Sequence, residues 1–206
     1  ANKMSEKTPA MKPVVPAAGM PWPLFFAFIS GMYVAVAYVA DYFDVNGRVL
    51  GVLAAARVAE GDAPAVAAGV ALIAYYWSTV HGLYWVFSAR ERWRIGHPIA
   101  VPLPQDFRDK QRGERNECLC WMRGYENLVE WGPVYAMAQA YLLYGASAPG
   151  LSLAASTLWL VGRVLYTTGY ARGGANGRFA GFTVWVMAIA LGIGTAYLRV
   201  GRHFLK

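Results

Sequence analysis

Five stretches of about 20 mostly apolar residues, the length needed to cross a bilayer, occupy most of this chain. They are residues 24–42, 65–87, 118–144, 151–171 and 180–198. A chain of that kind has to satisfy its backbone within each span, so the expected fold is an all-α integral membrane protein. Between the first two spans, residues 45–60 form a weaker segment. Val49, Val52, Leu53 and Ala56 recur at helical spacing with Arg48 and Arg57 nearby, which predicts a short helix lying at the interface. Residues 1–23 form a polar, Pro-rich tail without the apolar core of a signal peptide. The sequence opens Ala1-Asn2-Lys3, as would follow loss of a presequence or of the initiator Met alone.

Composition agrees. Hydrophobic residues make up 57% and charged residues 15%, against roughly 25% charged in soluble domains. Eight Trp and thirteen Tyr suit the aromatic belts of a membrane protein. The net charge of +7 is then loop charge rather than a nucleic-acid footprint. Twelve of the nineteen Lys and Arg lie in the tail, in loop 90–115 and in loop 172–178. Five lie on the opposite side and two, Arg123 and Arg163, lie inside spans. This imbalance places the N-terminus on the cytoplasmic or matrix-like side. Cys118 and Cys120 are too close for an ordinary stabilising loop and too few for a zinc site. They read as free thiols. His81, His97 and His203 share no ligand spacing. His81 reads as a hydrogen-bonded packing residue, and Gly192 and Gly194 as points of close helix contact.

The polar residues within spans carry the chemistry. Arg123, Glu126, Asn127 and Glu130 fall within roughly 100° of arc on one helical face. Arg can fork onto a carboxylate, and Asn and Glu can hold an amine or amide. Such a face suits a small zwitterionic or peptide-like ligand, or alternatively an Arg–Glu pair joining two helices. Arg163, Tyr166 and Tyr170 share a face of the next span. That span runs antiparallel, so its C-terminal end meets the start of the previous one, beside Arg90, Arg172 and Arg178. The expected result is a basic, aromatic pocket. No nucleophile–base pair accompanies it, so in an enzyme the nucleophile would come from a cofactor or cosubstrate.

These residues resemble known motifs. Arg123-Gly-Tyr-Glu-Asn127-Leu-Val-Glu130-Trp-Gly-Pro133 resembles the Arg-x-x-x-Asn-x-x-Glu-x-x-Pro signature of the MAPEG family, membrane-associated proteins in eicosanoid and glutathione metabolism. Val161-Gly162-Arg163-Val-Leu-Tyr166-Thr-Thr-Gly169-Tyr170, with Arg178 eight residues on, is similar to the family's second signature. Ala89-Arg90-Glu-Arg-Trp-Arg94-Ile-Gly-His-Pro98 looks like its first basic loop. The resemblance points to the microsomal glutathione transferase type 3 branch. It implies a four-helix transmembrane bundle over 65–206, plus one extra N-terminal transmembrane helix and an interfacial helix in 24–64. It also implies a homotrimer with glutathione as cosubstrate, held by Arg90, Arg123, Asn127, Glu130, Tyr166 and Tyr170. Arg178 would be the catalytic residue, stabilising the thiolate that attacks a lipophilic electrophile or a lipid hydroperoxide. The location would be the endoplasmic reticulum or a mitochondrial membrane. Residues 1–64 have no counterpart in the resemblance, and they support another reading: an accessory subunit of a respiratory or ATP-synthase-type complex. Gly31 and Ala35 lie four apart among further small residues, so residues 1–43 are expected to contact another polypeptide.

Overall fold

The structure, a computed structural model, describes residues 22–92 and 113–205. Every regular element among them is helical: α1 (Trp22–Tyr42), α2 (Val45–Ala55), α3 (Ala63–Arg92), α4 (Gly113–Ala140), α5 (Pro149–Gly177) and α6 (Phe179–Phe204). A 3-10 turn at Glu60–Asp62 precedes α3, and a π-turn at Tyr141–Gly145 ends α4. Residues 1–21 of the expected tail 1–23, residues 93–112 of the expected basic loop 90–115 and the side chains of Cys118 and Cys120 lie outside the described residues, as does the side chain of Arg90.

α2 is shorter than the sequence predicts. Arg57 adopts a left-handed φ of 62°, a conformation that ends a helix, and the chain then enters the 3-10 turn. The expected loop 172–178 is instead helical up to Gly177, where α5 ends. The chain reverses there all the same. A side chain on Gly169 would strike the Gly177 carbonyl, although eight residues of straight helix would separate the two by about 12 Å. Two bare backbones are what allow the fold-back, and it delivers Arg178 to the start of α6.

On α3 the residues at the helix contacts are mostly small and those facing outward are large, the pattern expected where lipid replaces water. α3 buries Ala63, Ala67, Ala71, Ala74, Ser78, Val86 and Ala89 along one stripe, while Leu72, Ile73, Tyr76, Trp77, Tyr84 and Phe87 are exposed. α4 and the π-turn that follows it bury Trp121, Leu128, Tyr135 and Leu142 at seven-residue spacing. α6 is covered on two sides. One side meets α4 and α5, and the other meets α1, where Gly194 lies against the Tyr33 carbonyl and Ala37. Gly192 lies against Ala138. Both glycines therefore allow close contact, as their sequence setting suggests. Polar side chains within the bundle are tied to one another: Trp159 Nε1 donates to Ser78 Oγ at 3.2 Å, and the Tyr135 hydroxyl donates to Ser156 Oγ at 3.2 Å. His81 accepts a hydrogen bond from Trp85 Nε1 at 3.1 Å, in line with a packing role.

Among the described residues, two helical stretches, Glu60–Ala89 and Phe179–Phe204, are long and apolar enough to cross a membrane, and α1 with α2 makes a third if that pair, bent by 51°, is one broken span. α4 and α5 have 28 and 29 residues but carry the polar side chains described below.

The α5–α6 contact is the most extensive in the bundle and yields a direct test. A Cβ on Gly162 would sit 2.7 Å from Trp185 Cβ, and one on Gly181 would sit 2.4 Å from Tyr166 Cα. Backbone cannot move aside as a side chain tip can. Gly181→Leu should therefore lower stability by about 3 kcal/mol, at the upper end of overpacking costs, whereas Gly31→Leu, with open space around it, should not. Thermal unfolding of the purified protein in detergent, followed by circular dichroism, separates the two.

Candidate functional site

The polar residues of α4 and α5 meet at one end of the bundle, where α4 begins, α5 ends and α6 starts. Arg123, Glu126, Asn127, Glu130, Tyr166, Tyr170 and Arg178 line a single open cavity of about 260 Å³. Ligand pockets run roughly 300–1,000 Å³, so one chain supplies most of a site for a small molecule. Six of the seven residues named from sequence for ligand binding or catalysis come together here. The seventh, Arg90, sits on the last turns of α3, with its side chain outside the described residues. Arg172 is exposed and does not line the cavity.

The cavity has a rigid floor and an open rim. Tyr166 is 2% exposed and forms the floor. Beneath it, Arg163 is 1% exposed. Its Nη1 donates to Asn127 Oδ1 at 2.8 Å and its Nη2 donates to the Gly124 carbonyl at 3.1 Å. The guanidinium also sits 5.2–5.3 Å from the ring centroids of Trp159, Tyr166 and Trp185, within cation–π range. Arg163 thus fixes Asn127 in the cavity wall and ties α5 to α4. Gly124 makes this possible, because its bare Cα lets Thr167 of α5 approach. At the rim, Arg178 lies 5.4 Å from the Tyr170 ring centroid.

The expected alternative of an Arg–Glu pair joining two helices is not what forms. Arg123 Nη1 pairs with Glu126 Oε2 at 2.7 Å on the same helix, and both side chains are exposed, 60% and 46%. Such an exposed pair stabilises by about 0–1 kcal/mol, so a ligand carboxylate can replace Glu126 on Arg123 at small cost. Two residues that the sequence places on these faces without a ligand-binding role gain one in the site: Glu126, which occupies Arg123, and Arg163, which holds Asn127. The signal for Arg163 was present as an intramembrane arginine, but its partners could not be read before α4 and α5 were in register.

Chemically, the cavity presents two guanidiniums, two carboxylates, an amide and two phenols. It can hold a ligand bearing both carboxylate and ammonium groups, and can stabilise an anion beside Arg178.

No solved structure matches this chain. The family model for the MAPEG family matches residues 65–198 of the 206, a stretch that contains α4, α5, most of α3 and α6, and every residue of the cavity. This chain belongs to the MAPEG family of integral membrane proteins.

Proposed function

We propose that this protein is a glutathione-dependent transferase or peroxidase of the type 3 branch, acting on lipophilic electrophiles or lipid hydroperoxides. The observation that carries the reading is the convergence of Arg123, Asn127, Glu130, Tyr166, Tyr170 and Arg178 on one cavity. Glutathione has two carboxylates, one ammonium and a thiol. Arg123 would fork onto a carboxylate, Glu130 would take the ammonium, and Asn127 would bond a peptide group, with Tyr166 and Tyr170 as walls. Arg178 would face the sulfur and favour the thiolate. In conjugation the thiolate forms a carbon–sulfur bond and the leaving group departs with its electron pair. In peroxide reduction two glutathiones give up two electrons and two protons, yielding the disulfide, an alcohol and water. In this reading α4 and α5 also cross the bilayer, completing five spans, and a second copy in a trimer closes the open side of the cavity with Arg90.

The test is turnover of glutathione by purified protein in detergent, with an aryl halide and a fatty-acid hydroperoxide as acceptors. Arg123→Ala should raise the Kd for glutathione about tenfold or more, about 1.4 kcal/mol or more, with a smaller effect on turnover of the saturated enzyme. Wild-type protein that neither binds glutathione in calorimetry nor consumes it with either acceptor defeats the proposal.

The accessory-subunit reading is kept because of one feature of α1. Ala37 and Ala40 are buried, but Gly31 and Ala35 remain exposed on the outward side, available to a neighbouring helix. Removing residues 1–43 would also strip the Gly194 surface of α6. Gly31→Leu is the cleaner probe: it should release the protein from a larger assembly and leave its helicity unchanged. Full-length protein that purifies only as a catalytically active homotrimer, unaffected by Gly31→Leu, excludes this reading.

A further inference from the structure

The end of the bundle opposite the Arg123 cavity holds a second polar pocket, of about 220 Å³, enclosed by the ends of α1 and α6 and the starts of α2 and α5. Its charged side chains are Asp41, Asp44, Arg199 and Arg202. All four lie outside residues 65–198, the stretch matched by the family. The pocket is therefore built where the additional N-terminal segment meets the bundle.

Its walls are fixed by hydrogen bonds that leave binding capacity inside. Asn46 Oδ1 accepts from the Gly150 and Leu151 amides at 2.9 and 3.3 Å, so the N-terminus of α5 is already capped. Arg199 Nη2 donates to the Ala146 carbonyl at 2.6 Å. Arg202 Nη2 donates to Asp41 Oδ2 at 2.7 Å, and both side chains are more than half exposed. Asp44 Oδ1 accepts from the Gly47 amide at 3.1 Å. The second oxygen of each carboxylate has no hydrogen-bond partner among the described residues, and guanidiniums carry five N–H donors each.

Two cations and two anions in one pocket match a ligand that itself carries both signs. The surroundings place that ligand at the membrane surface. Tyr42 and Phe43 at the end of α1, and Phe204 and Leu205 at the end of α6, are 74%, 55%, 81% and 89% exposed. Aromatic and apolar side chains beside charged helix ends are the mark of the headgroup layer. An ammonium with N–H donors can bond the free carboxylate oxygens, whereas a quaternary ammonium cannot.

We propose that this pocket binds the headgroup of a phosphoethanolamine lipid, with the phosphate on Arg199 and Arg202, the ammonium on Asp41 and Asp44, and the acyl chains along the outer faces of α1 and α6. The site is independent of the glutathione reading and uses none of its residues.

The experiment is native mass spectrometry of the delipidated full-length protein, titrated with phosphatidylethanolamine, phosphatidylcholine and phosphatidylglycerol of identical acyl chains. Wild type should bind the ethanolamine lipid at least about tenfold more tightly than either other lipid, one decade being about 1.4 kcal/mol. Asp44→Asn is the informative variant. Asn caps helices as well as Asp does and tolerates the left-handed φ of 46° found at this position, so α2 is retained while one anion is removed. It should lower the preference for the ethanolamine lipid over the glycerol lipid by about threefold or more, and Arg202→Gln should weaken binding of the ethanolamine lipid. Equal binding of the three lipids by wild type overturns the proposal, as does a preference that neither variant changes. Soluble glycerophosphoethanolamine that binds as tightly as the lipid also overturns it, in favour of a free phosphate-bearing amine.

Discussion

Arg178→Ala should lower the turnover of glutathione by roughly 10²–10³-fold, about 2.7–4 kcal/mol of transition-state stabilisation, the usual loss when a single charge-stabilising donor is removed. The Michaelis constant for glutathione should change much less. The reason lies in where Arg178 stands. It is the residue between α5 and α6, set at the cavity rim by the fold-back at Gly169 and Gly177, with its guanidinium beside the Tyr170 ring. The groups assigned to holding the ligand, Arg123, Asn127 and Glu130, are all on α4 and stay in place in the variant. A free thiol has a pKa near 8.5, so it is mostly protonated at neutral pH, and a neighbouring guanidinium favours the thiolate. Titrating the thiolate absorbance of bound glutathione should therefore show a midpoint below that of free glutathione in wild type and a higher one in Arg178→Ala. Arg178→Lys should restore part of the shift, because it restores the charge but not the planar fork. A thiolate titration identical in wild type and Arg178→Ala would remove Arg178 from this role.

What the sequence made legible follows from which constraints are local. Helical periodicity placed Arg123, Asn127 and Glu130 on one face of α4, and Tyr166 with Tyr170 on one face of α5, because side-chain direction within a helix follows from spacing alone. Antiparallel succession then brought the two faces to one end. Close contact at Gly192 and Gly194 was also legible, but not which helix each one meets, and the other close approaches could not be read. The approach of α5 to α6 through Gly162 and Gly181, and the burial of Arg163 among Trp159, Tyr166 and Trp185, belong to helix pairs rather than to helices. The same holds for Asp41 and Arg202, separated by 161 positions in sequence and joined in space. The Arg123–Glu126 pair on one helix was neither of the two sequence readings, a ligand-holding face or an Arg–Glu pair joining two helices, although residues three apart on a helix are neighbours. The loop expected at 172–178 misled for a related reason. Glycine breaks an isolated helix, but here it serves a chain that stays helical while two backbones touch.

The second large effect is on stability. Arg163→Ala should lower the free energy of unfolding by about 3–5 kcal/mol, the range for removing a large buried side chain and for breaking a buried charged network. Arg163 is held without a carboxylate partner among the described residues. Its charge is met by Asn127 Oδ1, by the Gly124 carbonyl and by three ring faces. Truncation leaves a void between α4, α5 and α6 and frees the Asn127 amide, so the cost has both a packing and a polar part. Arg163→Met separates them. Methionine fills irregular core space and brings no charge to be satisfied, so this variant should recover much of the lost stability. It cannot hold Asn127, and its affinity for glutathione should stay low, with a Kd raised about tenfold or about 1.4 kcal/mol. Thermal unfolding and glutathione calorimetry on the same two preparations read the two parts apart. If Arg163→Ala unfolds with wild type, the buried guanidinium is not holding α5 to α4. If Arg163→Met is stable and binds glutathione as wild type does, Arg163 is a packing residue and Asn127 keeps its place without it.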